Sequence, residues 1–173
     1  TSIKNSDLMF EDSALLVKSK EGTVFCQTDC KMDFESMKKV NAAKPDIGFF
    51  MYSVANWYPD VYNYPKEKRD EIAKKRKANK INGFVNYVNV IKPKYAIAYA
   101  GGPIFPHKSQ LKLNDPITGV FGCPDEAKTA WDNIDNTGTE VVIMAADDEI
   151  KIDGTYIKNN EPILSTNKAD ALN

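Results

Sequence analysis

Ser13–Lys18 (SALLVK) and Thr23–Gln27 (TVFCQ) are short runs of strand-favouring residues, and Lys20, Glu21 and Gly22 between them predict a hairpin. The period then changes. Asp33 stands where an N-cap belongs, with Phe34, Met37 and Val40 at helical spacing behind it, so the pattern predicts an amphipathic helix over Asp33–Ala43, stopped by Pro45. Asp46–Tyr52 (DIGFFMY) is apolar without alternation and of strand length, as expected of a strand buried on both faces. Ser53–Tyr64 (SVANWYPDVYNY) reads as a loop dense in aromatics. Pro65 suits the first turn of a long helix over Pro65–Ile91, whose second half carries Ile81, Phe84, Val85, Val88 and Ile91 on one face before Pro93 ends it. Tyr95–Ala100 (YAIAYA) predicts another buried strand, Pro124–Ile134 a short helix and Glu140–Ala145 a further strand. Glu149–Ile157 predicts a hairpin with a type I′ turn at Asp153-Gly154. The stretch leading to Cys123 reads as irregular, and the residues after Asn159 as a fraying polar tail.

Strand, helix, strand, helix, strand is a βαβαβ order. It predicts the α/β class, with a mixed sheet and flanking helices. Ligands of such sheets sit beyond the carboxyl ends of the strands. Three segments fall there: Thr28-Asp29-Cys30, Ser53–Tyr58 and Gly101–His107. Their convergence on one edge is the argument for a site.

Composition narrows the function classes. The 173 residues suit one domain, taken as 1–160 with a polar tail over 161–173. A formal net charge of -1 gives no global attraction to nucleic acid or to an anionic membrane, so neither is expected as a partner. No apolar run reaches the roughly 18 residues of a membrane span. Cys26, Cys30 and Cys123 are too few and too irregular for a disulfide framework or a structural zinc site. Cys26 is expected to end a buried strand, and a reducing, cytoplasmic location fits this usage.

Each candidate site residue has a functional and a structural reading. Asp29, held at a strand end, could bind a cation or orient a water, or could cap a turn. Trp57, Tyr58 and Tyr62 could form an apolar platform for a sugar or base, or pack the loop onto the helices. Gly101-Gly102-Pro103 lets backbone approach a ligand closely, or makes a tight exit turn; it lacks the spacing of a phosphate loop. His107 is the only imidazole: a general base, a ligand or a surface loop residue. The basic run from Lys66 to Lys80 could bind an anionic substrate, but Glu67, Asp70 and Glu71 interleave it as on a solvated helix face. There is no Ser-His-Asp order, HExxH or CxxC.

Three segments carry a family resemblance. They are Val24–Cys30, a strand ending in an acidic position; Ala55-Asn56-Trp57-Tyr58-Pro59 with Tyr62, Pro65, Glu67-Lys68 and the basic helix; and Lys92-Pro93-Lys94-Tyr95 leading to Ala100-Gly101-Gly102-Pro103. Together these resemble the later half of the metallo-β-lactamase superfamily domain, most closely the branch of CMP-N-acetylneuraminate hydroxylase and its bacterial relatives. The resemblance implies part of an αββα sandwich and a metal role for Asp29, with iron or zinc in a mono- or dinuclear centre. It implies a substrate cleft lined by Asn56, Trp57, Tyr58, Gly101, Gly102 and Pro103; the superfamily's last histidine is missing or replaced after the strand ending near Ala100, and His107, several residues on, is not equated with it but is kept as a candidate substrate contact. The superfamily's HxHxDH ligands are missing here, as are the paired Cys-His motifs of the Rieske domain found in the hydroxylase. A second chain or an N-terminal segment is therefore expected to supply the histidines. The expected function is part of a non-haem iron hydroxylase acting on a small anionic or sugar-like molecule; the alternatives are a metal-dependent hydrolase and a binding module that lost its metal.

Overall fold

A computed structural model describes residues 2–4, 12–134 and 138–168. Its main sheet has six strands in chain order: β1 (Ser2–Lys4), β2 (Ser13–Lys18), β3 (Thr23–Cys26), β4 (Ile47–Met51), β5 (Tyr95–Tyr99) and β6 (Glu140–Val142). The β1–β2 and β2–β3 pairs are antiparallel, while β3 through β6 run parallel. Three helices connect the parallel strands: α1 (Phe34–Ala42), α2 (Lys66–Ile91) and α3 (Pro124–Asp132). The chain is thus a mixed α/β fold with flanking helices, as its pattern predicts, and β1 is an addition that the pattern did not announce.

The element ends have local causes. The Asp33 carboxylate accepts from the Ser36 N–H at 2.7 Å and caps α1. At the other end of α2, Lys92 adopts a left-handed backbone (φ 53°) and Pro93 forbids continuation. Glu126 and Cys123 form a capping box at the start of α3.

Because the parallel strands follow chain order without reversal, crossovers of one hand all return over one face. There α2 lies between α1 and α3. Phe25 and Phe50 of the sheet meet at 5.7 Å between ring centroids, and Phe50 meets Phe84 of α2 at 6.3 Å. Ala14, Leu16, Val88, Ile91, Ala96, Trp131 and Val141 complete this core.

Among the described residues no helix covers the opposite face. Strand register aligns Leu15, Cys26, Phe49, Ile97 and Val142 across it in one row, and Val17, Val24, Ile47 and Tyr95 in the next. Ile47 and Ile97 in these rows are buried, but toward the β2 edge Leu15 is 51% and Val17 49% exposed. A small hairpin of β7 (Glu149–Ile150) and β8 (Tyr156–Ile157) reaches only one end of this face, with Ile152 against Gly22 and Gly154 against the Tyr95 ring. The described residues therefore supply two layers, one of helices and one of sheet, rather than the four of a complete αββα sandwich.

Three local expectations are corrected. The β7–β8 turn is not type I′, which needs positive φ at two central residues; only Gly154 (φ 91°) has it, and its N–H bonds to Lys151 O at 2.9 Å, as in a type I turn followed by a bulge. Cys26 is only half-buried because it faces the uncovered side, whereas Cys30 and Cys123 are buried. The stretch read as a fraying tail is docked over 161–168: Ser165 donates its N–H to Asp125 at 2.9 Å, and Lys168 is 1% exposed. The rest of that tail, 169–173, lies outside the described residues. No helix among the described residues is long and apolar enough to cross a membrane.

Candidate functional site

The carboxyl ends of β3, β4 and β5 open onto a cavity of about 220 Å³. Asp29 follows β3, Met51 and Ser53 end and follow β4, and Ala100 and Gly101 follow β5; all line it, together with Trp57, Pro103 and Phe121. Parallel strands in register end at one level, so the first residues of their exit loops share one edge. The convergence predicted from sequence is present for Asp29, Trp57, Gly101 and Pro103.

The exit turns are conformationally unusual. Thr28 and Ala100, each just after a parallel strand, adopt left-handed backbone with φ 53° and 55°. For non-glycine residues this costs roughly 1–2 kcal/mol, and a β-branched threonine is a rare occupant. A bond from the Thr28 hydroxyl to Ser13 O at 2.9 Å helps hold that turn. The consequence is that Asp29 and Gly101 swing over the cavity instead of continuing past the strand ends.

Ser53 is the least expected member. It is 1% exposed, and its hydroxyl finds no hydrogen-bond partner among the described residues. An unsatisfied buried hydroxyl costs about 1–3 kcal/mol, so such groups are rare away from ligand sites. Asp29, by contrast, is exposed at the rim and neither accepts a hydrogen bond nor pairs with a cation among the described residues. Trp57 serves both of its readings. Its ring packs on Phe105 at 4.7 Å and Phe121 at 6.1 Å, yet it stays 40% exposed and lines the cavity.

The basic helix divides in two. Lys66 pairs with Asp70, and Lys68 with Glu71 at 3.0 Å, so the first turns are a solvated face. Further along, the cations turn inward. Arg76 donates to Tyr58 O at 2.7 Å and lies 5.0 Å from the Tyr58 ring centroid. Lys80 lines a neighbouring hollow with Arg76, Asn79 and Val54, the last a residue of both hollows. Burial holds the Lys80 pKa below the usual lysine value, against an upward pull from Asp29.

The other expected residues sit elsewhere. Asn56 uses its side chain on the Tyr58 N–H at 3.3 Å, which is turn formation. Tyr58 packs edge-on to Tyr62 at 5.1 Å, in a cluster beside the cavity. Gly102 faces away, toward a second cavity. Its substituent-free α-carbon serves packing, because a β-carbon there would meet Phe121. Gly101 is confined in the same way by the Tyr52 hydroxyl. His107 is exposed and caps the short helical turn Lys108–Asn114 through Ser109, its Nδ1 2.8 Å from the Ser109 hydroxyl; it lines neither cavity.

Sequence reasoning placed Ser53 in a converging loop and Lys80 in the basic run without singling out either, and left Met51 inside a strand. Ser53 had one usable signal, as the first polar residue after a wholly apolar strand. Lys80 had none, since nothing in a run of lysines marks the one that turns inward.

Over 104 residues, 60% of the chain, the sequence is 27% identical to proteins of two Mycobacterium tuberculosis strains, each named as a Rieske 2Fe-2S iron–sulfur protein. A protein of Mycolicibacterium smegmatis bearing that name is 25% identical over the same length. The matched stretch spans 20% of those relatives' own length. No protein-family model matches the chain. These findings correct the assignment to the metallo-β-lactamase superfamily: the relatives that match bear a different name, and no family model supports that superfamily. The residues present do not fit a Rieske cluster, which takes two cysteines and two histidines, because the chain has one histidine. Among the described residues no group of three or more His, Cys, Asp or Glu could hold a metal.

Proposed function

We propose that this chain is the substrate-binding portion of an iron-dependent oxidoreductase whose metal ligands lie on another stretch of polypeptide. The observation that carries the reading is the buried, unpartnered Ser53 hydroxyl in the cavity at the strand ends. A ligand hydroxyl or carbonyl would satisfy it. Trp57 offers an apolar face, and Arg76 and Lys80 favour a ligand bearing negative charge, so a small anionic, sugar-like molecule is the substrate class. The iron-dependent context rests on the names of the relatives, and the apolar sheet face gives the ligand-bearing polypeptide a surface to cover. In such an assembly Asp29 is the carboxylate this chain contributes at the rim.

Titration calorimetry with glucuronate and with glucose tests the reading. Glucuronate is expected to bind and Ser53→Ala to weaken it at least tenfold, with glucose weaker than glucuronate. A chain that binds neither probe sinks the proposal. A second reading, a binding module without metal, is favoured by the absence of a metal-ligand group among the described residues. Metal analysis of the chain purified with its physiological partner separates the two: stoichiometric iron supports the oxidoreductase, and no metal supports the module.

A further inference from the structure

On the far side of the Gly101–Pro103 strap lies a second cavity of about 320 Å³, bordered by Gly102, Tyr52, Cys123 and the docked segment 161–168. Lys168 lines it and is 1% exposed. An ammonium has three donors. Lys168 uses one, toward Phe121 O at 3.2 Å, and no carboxylate pairs with it among the described residues.

The acids nearby are already engaged. Glu126 pairs with Lys77 at 2.7 Å and accepts from the Cys123 N–H, also at 2.7 Å. Asp125 accepts from Ser165 through its backbone N–H and its hydroxyl. Glu161, on the cavity wall, pairs with Lys158 at 2.7 Å. Burial disfavours the Lys168 charge, as does Lys77, while Cys123 and Glu126 favour it without bonding to it; a ligand carboxylate bonded to the ammonium removes much of that remaining cost. Ile104, Met144 and Ile163 give the wall an apolar part, and the Asn160 amide beside them is engaged with Ala146 O.

We infer that this cavity is a second binding site, taking a small amphiphilic carboxylate whose oxygens receive the free N–H groups of Lys168 and whose apolar part lies against Ile104, Met144 and Ile163. The site stands apart from the Ser53 cavity and does not depend on it.

Calorimetry and thermal shift with benzoate and hexanoate, against benzamide and hexanamide, test the inference on the intact chain. Both carboxylates are expected to bind and raise the melting temperature, and both amides to do neither. Lys168→Met should lose at least tenfold in carboxylate affinity, with an unchanged circular dichroism spectrum, while Lys168→Arg keeps most of it. Met144→Trp, which narrows the cavity without touching the lysine, should also lose at least tenfold, and it carries the test if Lys168→Met does not fold. Amides binding as well as carboxylates, a folded Lys168→Met or Met144→Trp within twofold of the parent, or no binding of any probe overturns the assignment.

Discussion

Lys80 directs its ammonium at the thioether sulfur of Met51, 3.3 Å away, rather than at a carboxylate. A sulfur is a weak acceptor, so the cation is held in place without being neutralised. Met51 is the last residue of its strand and a wall of the Ser53 cavity. The pair thus sets a positive charge beside the cavity, and this is the physical ground for expecting an anionic ligand.

Lys80→Met should therefore weaken glucuronate binding at least tenfold and leave glucose binding within twofold. Stability should hold or rise, because a half-buried cation with a poor partner is removed. Calorimetry with both sugars checks the first part and urea unfolding the second. Equal losses for the two sugars would show that Lys80 shapes the cavity rather than charging it.

Gly101 and the Tyr52 hydroxyl compete for one volume, since a β-carbon on Gly101 would overlap that oxygen. Gly101→Ala should cost roughly 1–3 kcal/mol by overpacking. Tyr52→Phe removes the obstructing atom, so the double variant should recover part of the loss, and a double-mutant cycle by urea unfolding reads the coupling. Strictly additive effects would mean that the strap moves aside instead.

The fold was legible where periodicity and punctuation agree. Asp33, Pro45, Pro65 and Pro93 bracket their elements because each residue type acts on its own few neighbours, and the parallel order followed from two apolar strands separated by helices. The site was half legible. Asp29 and Gly101 are placed by strand ends alone, and so could be read. His107, open between a base, a ligand and a surface loop residue, caps a turn at the surface, a role set by its bond to Ser109 that no sequence pattern marks. Lys168 was invisible, since one lysine in a polar stretch carries no mark that it will be buried. Asp153-Gly154 misled because the dipeptide suits both turn types; with Ile152, which resists positive φ, as a central residue, the glycine falls one place later. The family assignment failed for a related reason: short motifs at strand exits record the geometry of α/β sheets as much as descent.

Asp148 clamps the segment that carries the second cavity's wall. Its carboxylate accepts from the Tyr156 hydroxyl at 2.5 Å and from the N–H groups of Ala145 at 2.8 Å, Asn159 at 2.7 Å and Asn160 at 3.1 Å. These bonds, Tyr156 first, hold its pKa below the ordinary 3.8. Burial and this same bond push Tyr156 up from 10.0 to about 12. The signs follow. The lowered carboxylate stabilises the segment fully above pH 3.8 and less as pH falls below it; the raised phenol stabilises it below pH 10.0 and less as pH climbs toward about 12. Hydrogen exchange should show the Ala145, Asn159 and Asn160 amides exchanging at least roughly tenfold faster in Asp148→Asn at pH 7. The difference from the parent should shrink on acidification through the carboxylate range. A difference that stays constant to pH 3 would place the clamp's strength elsewhere.

The uncovered sheet face gives the last prediction. Leu15 and Val17 alternate with Ala14 and Leu16, so they point away from the helices by pleat geometry and not by local disorder. Each is about half exposed, and Cys26 and Phe49 beside them in the register are partly exposed, whereas Ile97 at the centre of the sheet is buried. A face of this kind drives association unless another layer covers it. Leu15→Glu with Val17→Lys should leave the helix-side core intact, so urea stability should stay within about 1 kcal/mol, the range for exposed positions. The same pair should lower the concentration-dependent light scattering of the isolated chain and weaken co-purification of a covering polypeptide. Unchanged scattering, with unchanged recovery of the partner, would show that this face is left to water.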